Sequence, residues 1–287
     1  MVNTMKISIR AAVKVAIVVA ILPAGGCYWP GDVWPEGGAY SCDPACEPGF
    51  GCSNGDCVST GEMLLIPSGS FWMGCNAAVD NECDSDELPY HEVTLSGYYM
   101  DKTEVTQSEY KKCVDAGECG TPTCDWDPTG TPNRPVACVD WNDATVYCVW
   151  AGKQLPTEAE WEKAARGTDG RKYPWGNEAA TCDYAVISSC TGDAMDVCSK
   201  SPAGDSPYGL CDMAGNVWEW VSDWYGSDYY TDSSSSNPTG PVSGSYRVRR
   251  GGSFANVGYY LRSSNRLYFY PSADDDHDLG FRCSRPQ

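Results

Sequence analysis

Seventeen cysteines, two histidines and a run of acids near the C-terminus are the side chains of this chain best suited to chemistry. His91 and His277 are too few for a three-histidine non-haem iron centre. A Ser-His-Asp hydrolase would need a serine and an acid set against one of them, and no nucleophile-elbow motif is present. Asp274-Asp275-Asp276-His277-Asp278 has a metal-binding composition, but runs of like charge are usually solvated loops, and it reads as one. With Cys27 set aside, the cysteines fall into locally even groups: Cys42, Cys46, Cys52, Cys57; Cys75, Cys83; Cys113, Cys119, Cys124, Cys138; and Cys182, Cys190, Cys198, Cys211, with Cys148 and Cys283 left over. In an oxidising compartment such even groups read as disulfides, whose pairing inside each group of four spacing does not fix. For Cys42 to Cys57 a structural zinc site is the alternative, but its spacers and interleaved Gly49, Gly51 and Gly55 suit a two-disulfide knot better.

The compartment follows from the N-terminus. Lys6, Arg10 and Lys14 precede the apolar run Val15 to Leu22 and a small-residue stretch ending at Cys27, which is the layout of a secretory signal over residues 1–26. Ala24-Gly25-Gly26-Cys27 resembles a bacterial lipobox with alanine at the usual leucine position, so Cys27 is expected to be lipidated. Tyr28 after it, in place of aspartate, implies the outer membrane. The formal net charge is −19, and losing three basic residues with the signal deepens it. Such a charge repels nucleic acid and anionic headgroups, so no nucleic-acid partner is expected. Residues 27–60 then read as a lipidated tether carrying the four-cysteine knot, with Pro30, Pro35 and Gly37-Gly38 giving irregular backbone.

Residues 61–287 are long enough for one sizeable core. Met63 to Pro67, Val93 to Leu95 and Tyr98 to Met100 read as short strands. Thr106 with Glu109 is a capping-box pair that predicts a helix from Gln107 to Val114. A second helix is predicted from about Asn142 to Gly152, and a third between the cap Thr157 and Gly167. Beyond Gly167 little periodicity remains, and the 11 tryptophans and 18 tyrosines argue for a stapled, loop-rich fold over disorder.

Three motifs carry a resemblance. Leu155-Pro156-Thr157-Glu158-Ala159-Glu160-Trp161-Glu162, Gly215-Asn216-Val217-Trp218-Glu219-Trp220 and Arg250-Gly251-Gly252-Ser253-Phe254 are similar to those of the formylglycine-generating enzyme, or sulfatase-modifying factor, family. The resemblance spans nearly all of Gly61 to Cys283. It implies an α+β, loop-rich, disulfide-stapled fold related to C-type lectins, and a disulfide between Cys148 and Cys283. It further implies a calcium site with side-chain oxygens from Asp212 and Glu219 and backbone carbonyls from Gly215 and Val217, donors of the type a hard cation prefers. The plainer reading makes Trp218 and Trp220 core anchors and pairs Glu219 with Arg249, Arg250 or Arg266. A second calcium site in Asp183 to Asp196 is not assigned.

The family's oxidases hold copper on two cysteines just after the Arg-Gly-Gly-Ser-aromatic motif, and Cu(I) selects sulfur. Here those positions fall nearest Asn256 and Leu261, so no catalytic residue is assigned and copper is not expected. Trp218 and Ser253 match positions lining the family's cleft, so a groove is expected from Trp218, Ser253, Asn256, Tyr259, Tyr260 and Arg262, suited to a peptide, protein or glycan. The leading expectation is a lipid-anchored, non-catalytic binding module of the cell envelope. The alternatives are a formylglycine-generating oxidase with an altered copper site and a structural component of an envelope complex.

Overall fold

A computed structural model describes residues 50–53, 56–59, 61–274 and 276–287. The expected signal at 1–26, the lipidated Cys27 and the first two cysteines of the knot lie outside the described residues. Three helices share one N-terminal device. α1 (Gln107–Asp115), α2 (Trp141–Trp150) and α3 (Glu158–Arg166) each open on a capping box. The caps Thr106, Asp140 and Thr157 accept the N–H of Glu109, Asp143 and Glu160, whose carboxylates accept the cap N–H in return. Each such cap contributes about 1 kcal/mol. α2 starts one residue before the expected position because Asp140, and not a later residue, is its cap. α3 ends at Gly167, whose φ of +69° favours glycine.

The strands are short. β1 (Phe50–Ser53) and β2 (Asp56–Ser59) form an antiparallel hairpin with Cys52 opposite Cys57. β3 (Met63–Ile66) and β6 (Tyr98–Asp101) pair with the C-terminal β11 (Ser284–Pro286) in the order β11-β6-β3, while β4 (Gly69–Met73) pairs with β5 (His91–Leu95). The four-stranded sheet runs β10-β7-β8-β9, from β7 (Trp218–Trp224), β8 (Arg247–Arg250), β9 (Leu267–Phe269) and β10 (Leu279–Phe281); β10 is parallel to β7 and the other pairs are antiparallel. The strands expected at 93–95 and 98–100 lie within these elements, and the one expected over 63–67 ends one residue earlier, at Ile66. No helix among the described residues is long and apolar enough to cross a membrane.

Two apolar clusters flank β7. Val221 joins Phe71, Met73, Val93, Leu95 and the α3 face Ala159, Trp161, Ala164 and Ala165. Trp218 and Trp220 join Tyr110, Tyr147, Leu279 and Phe281. The twelve cysteines from Cys75 to Cys283 are all disulfide-bonded: Cys75–Cys83, Cys113–Cys119, Cys124–Cys138, Cys148–Cys283, Cys182–Cys190 and Cys198–Cys211. The groups Cys113 to Cys138 and Cys182 to Cys211 thus divide into sequential neighbours. The bond implied by the resemblance, Cys148–Cys283, joins α2 to the residue just before β11 across 135 positions.

Buried arginines tie these layers together. Arg266 grips Glu158 through Nε (2.8 Å) and Nη2 (2.9 Å), Arg250 meets Glu162 at 2.6 Å, and Arg282 grips Glu219 through Nε and Nη2, both at 2.8 Å. Trp161 Nε1 also donates to Glu219 at 2.8 Å. The Glu158 to Glu162 motif is therefore an ion-pair scaffold. The plain pairing of Glu219 holds with a different arginine: Arg249, Arg250 and Arg266 answer Asp276, Glu162 and Glu158, and Glu219 belongs to Arg282.

Candidate functional site

The loop leaving β8 begins with Gly251 and Gly252 at positive φ; a Cβ on Gly252 would lie 2.8 Å from Leu261 Cδ1 and 3.0 Å from the Tyr260 carbonyl. That close return brings together Asn256 and Leu261, the residues nearest the copper-binding positions implied by the resemblance. Asn256 Oδ1 accepts the Ser253 N–H (3.0 Å) and lies 2.9 Å from Ser253 Oγ, while the Asn256 carbonyl accepts the Ser188 N–H (2.9 Å). Leu261 is fully buried with Tyr173, Ala185, Ile187 and Ala214. One position closes a loop and the other fills a core, and neither offers a thiolate. Cys124, Asp125 and Cys138 come within metal-holding distance of one another, but the two sulfurs are bonded together.

The acidic run before β10 corrects the expectation of a solvated loop. Asp278 is buried and its carboxyl hydrogen-bonds Ser253 Oγ, while Asp276 pairs with Arg249 at 3.0 Å. Burial, with the adjoining Asp276, pushes Asp278 up to about 6. Asp276 stays below the usual carboxylate range: burial opposes this, and the bonds to Asp278 and Arg249 outweigh it. The two titrate as a pair. Asp275 lies outside the described residues. The apolar Leu279 to Phe281 directly after the run is the signal that could have placed Asp278 inside, because a buried strand draws its first neighbour in with it.

The six expected groove residues are only partly brought together. Tyr260 packs edge-on against Trp218 at 6.3 Å, and Ser253 meets Asn256. Tyr259 turns to Asp84, with which its hydroxyl hydrogen-bonds. Arg262 must be removed from the groove: it is fully buried and grips Glu87 through Nη1 and Nη2, both at 2.7 Å, with Asp80 at 3.1 Å. Ser253 and Trp218 are likewise buried. A cleft of 340 Å³ opens nearby instead, lined by Gln107, Trp126, Arg134, Asp193, Val217 and His277 among others and by none of the six. It adjoins the site through Val217, next to Trp218, and through His277, whose ring lies 5.7 Å from Phe254. Gln107 is fixed there by Asp125 O (3.0 Å) and Asp127 N (2.8 Å), and Arg134 by Asp193 (2.6 Å).

Asp212 and Glu219 do come together at a buried acidic centre, with a third carboxyl, Glu104, that sequence reasoning missed. Burial first, then repulsion from Asp212 and Glu219, drives Glu104 well above the usual range. Asp212 is pushed up to about 6, again chiefly by burial, although it accepts the Cys198 N–H at 2.6 Å. Nothing local marks Glu104, because its partners Asn216 and Val217 lie 112 and 113 positions away. Gly215 sits at φ +84°, where a Cβ would lie 2.5 Å from the Val186 carbonyl, so the turn between Asp212 and Glu219 requires glycine.

Known proteins resemble this chain in sequence and fold. Residues 50–287 match the sulfatase-modifying factor enzyme 1-like domain. The chain is 34% identical over 287 residues to the formylglycine-generating enzyme of Streptomyces coelicolor, covering 79% of this chain and 90% of that one. The solved structure of PvdO from Pseudomonas aeruginosa superposes with a TM-score of 0.69 at 27% identity over 85% of this chain and all of that one. Treponema denticola variable protein 1 does so with a TM-score of 0.64 at 28% identity, over 78% and 95%. The chain, with its capped helices, arginine-tied motifs and Ser253 loop, belongs to the sulfatase-modifying factor enzyme 1-like family.

Proposed function

We propose that this protein is an exported, lipid-anchored envelope protein whose family domain binds a peptide, protein or glycan without performing the oxidation that the family's formylglycine-generating members are named for. The observation that carries the reading is the pair Asn256 and Leu261, one locked to Ser253 and the other buried in an apolar cluster, where the resemblance calls for thiolates. Two soft sulfur ligands are what Cu(I) needs, and an amide and a leucine do not fit it. The ligand face is the 340 Å³ cleft bounded by Trp126, Arg134 and His277, where an aromatic ring and planar polar groups are already fixed by their neighbours.

Calcium at the turn from Asp212 to Glu219 is part of the same proposal and rests on the resemblance. Glu104, Asp212 and Glu219 gather beside one guanidinium, Arg282, and a hard divalent ion bound there with oxygen ligands would favour their ionised forms. Asp212 and Glu219, with the Gly215 and Val217 carbonyls, are the residues that would hold it. Bound there, calcium would supply charge neutralisation and order to the turn. The lipid on Cys27 would place the domain at the envelope, with the outer membrane favoured by Tyr28.

Alkylating the mature protein under denaturing, non-reducing conditions and weighing it intact tests the reading. The expected result is no adduct: the twelve cysteines from Cys75 to Cys283 are paired, and the four from Cys42 to Cys57 are expected to be. Two adducts would reopen the oxidase and show where its dithiol lies.

A further inference from the structure

Of the six described disulfides, Cys182–Cys190 alone has no buried cysteine. Cys75, Cys113, Cys138, Cys148 and Cys211 are buried, so each of the other five bonds hides at least one of its sulfurs from a solvent thiol. Cys182 and Cys190 are half-buried and pack on the edge of the cluster of Tyr173, Ala185, Ile187, Ala214 and Leu261. Thiol–disulfide exchange depends on access to a sulfur, and this bond is open at both.

The surroundings also suit a sulfur that comes free. Cys190 Sγ lies 3.4 Å from the Ile187 nitrogen, whose N–H points at it, and 3.5 Å from the Ala185 carbonyl, while the Cys190 N–H donates to Ile187 O at 2.9 Å. That turn is closed by backbone and does not need the S–S bond. Once the bond opens, the Ile187 N–H donates to a Cys190 thiolate, and the Ala185 carbonyl accepts the S–H of the thiol. Cys182 Sγ meets the Ser189 hydroxyl at 3.7 Å, a weaker contact. A backbone N–H favours the charged sulfur and makes it the better leaving group, so Cys190 leaves and Cys182 is the sulfur attacked. The chain between the two cysteines is held without them: Val186 O accepts the Asn216 N–H (3.0 Å), the Ser188 N–H donates to Asn256 O (2.9 Å), and Ala185 and Ile187 are buried. Opening the bond is therefore a local event.

We propose that Cys182–Cys190 is a redox-active disulfide whose co-reactant is a dithiol reductant. One thiolate of the dithiol attacks Cys182 Sγ; the new S–S bond forms as the Cys182–Cys190 bond breaks, and the electron pair leaves on Cys190 Sγ, seated against the Ile187 N–H. The second thiolate of the dithiol then attacks its partner sulfur in the mixed disulfide and displaces Cys182. Two electrons and the two S–H protons pass to Cys182 and Cys190, and the dithiol leaves as its own disulfide. A monothiol has no second sulfur, and Cys190, still in its turn, expels it from Cys182 and restores the bond.

The experiment treats the whole mature protein, without denaturant, with limiting dithiothreitol or with glutathione at the same thiol concentration, traps thiols with iodoacetamide and maps them by peptide mass. With dithiothreitol the expected result is a gain of two carbamidomethyl groups, on Cys182 and Cys190, before any other of the twelve cysteines from Cys75 to Cys283 reacts, with the thermal unfolding transition retained. Removing dithiothreitol in air should restore the bond. With glutathione no adduct should accumulate on wild type, whereas Cys190→Ser, given oxidised glutathione, should keep a stable adduct on Cys182. Another of these bonds opening first, or Cys182–Cys190 opening only as the domain unfolds, would overturn the proposal. A lasting glutathione adduct on wild type, or none on a folded Cys190→Ser, would overturn the roles given to Cys190 and Cys182.

Discussion

Arg282→Leu is expected to lose about 3–5 kcal/mol of folding stability, the usual cost of removing one partner from a buried ion pair. Arg282 is fully buried, and its loss would leave Glu219 with only the Trp161 N–H, while Glu104 and Asp212 lose their nearest positive charge. The carbonyls of Asp101, Lys102 and Cys211 would lose a donor as well. Urea unfolding in calcium-free buffer reads the effect directly. Arg282→Lys should recover only part of it, since an ammonium cannot reproduce the two-pronged contact with Glu219. A leucine variant as stable as wild type would mean that the acidic centre is hydrated and uncharged in solution.

Removing the Cys148–Cys283 bond by a double alanine substitution should cost about 5 kcal/mol by loop-closure entropy, an upper figure because residual structure reduces it. Both cysteines are fully buried in the cluster of Tyr110, Tyr147 and Phe281, so lost packing adds to the entropy. The same treatment of Cys182–Cys190, which closes a separation of 8, should cost about 2–3 kcal/mol. Guanidinium unfolding of the two variants beside wild type checks the order. Equal losses would show that strain or packing, and not loop length, sets the contribution of these bonds.

What the sequence disclosed, and what it hid, divides by distance along the chain. The capping boxes at Thr106 and Thr157 span three residues and could be read directly, and the cysteine groups were legible because their loops are short. Cys148–Cys283 crosses 135 positions and came only from resemblance to known motifs. The contacts that define the site are also long-range: Arg262 reaches Glu87 across 175 positions and Arg282 reaches Glu219 across 63. A lone arginine carries no local sign of whether it will face solvent or a buried carboxylate. That is why Arg262 was expected in an open groove and Glu104 was not expected at all. Asp278 misled for a related reason, since its acidic neighbours hid the buried strand it leads into.

The most direct test is to incubate the purified mature domain, with calcium, copper and oxygen supplied, with a cysteine-containing peptide of the kind formylglycine-generating enzymes act on, and to look for the aldehyde by mass spectrometry. The expected result is unchanged peptide cysteine, because Asn256 and Leu261 give copper no sulfur to bind. Copper-dependent appearance of the aldehyde would contradict the central claim and make this domain an oxidase with its thiolates elsewhere.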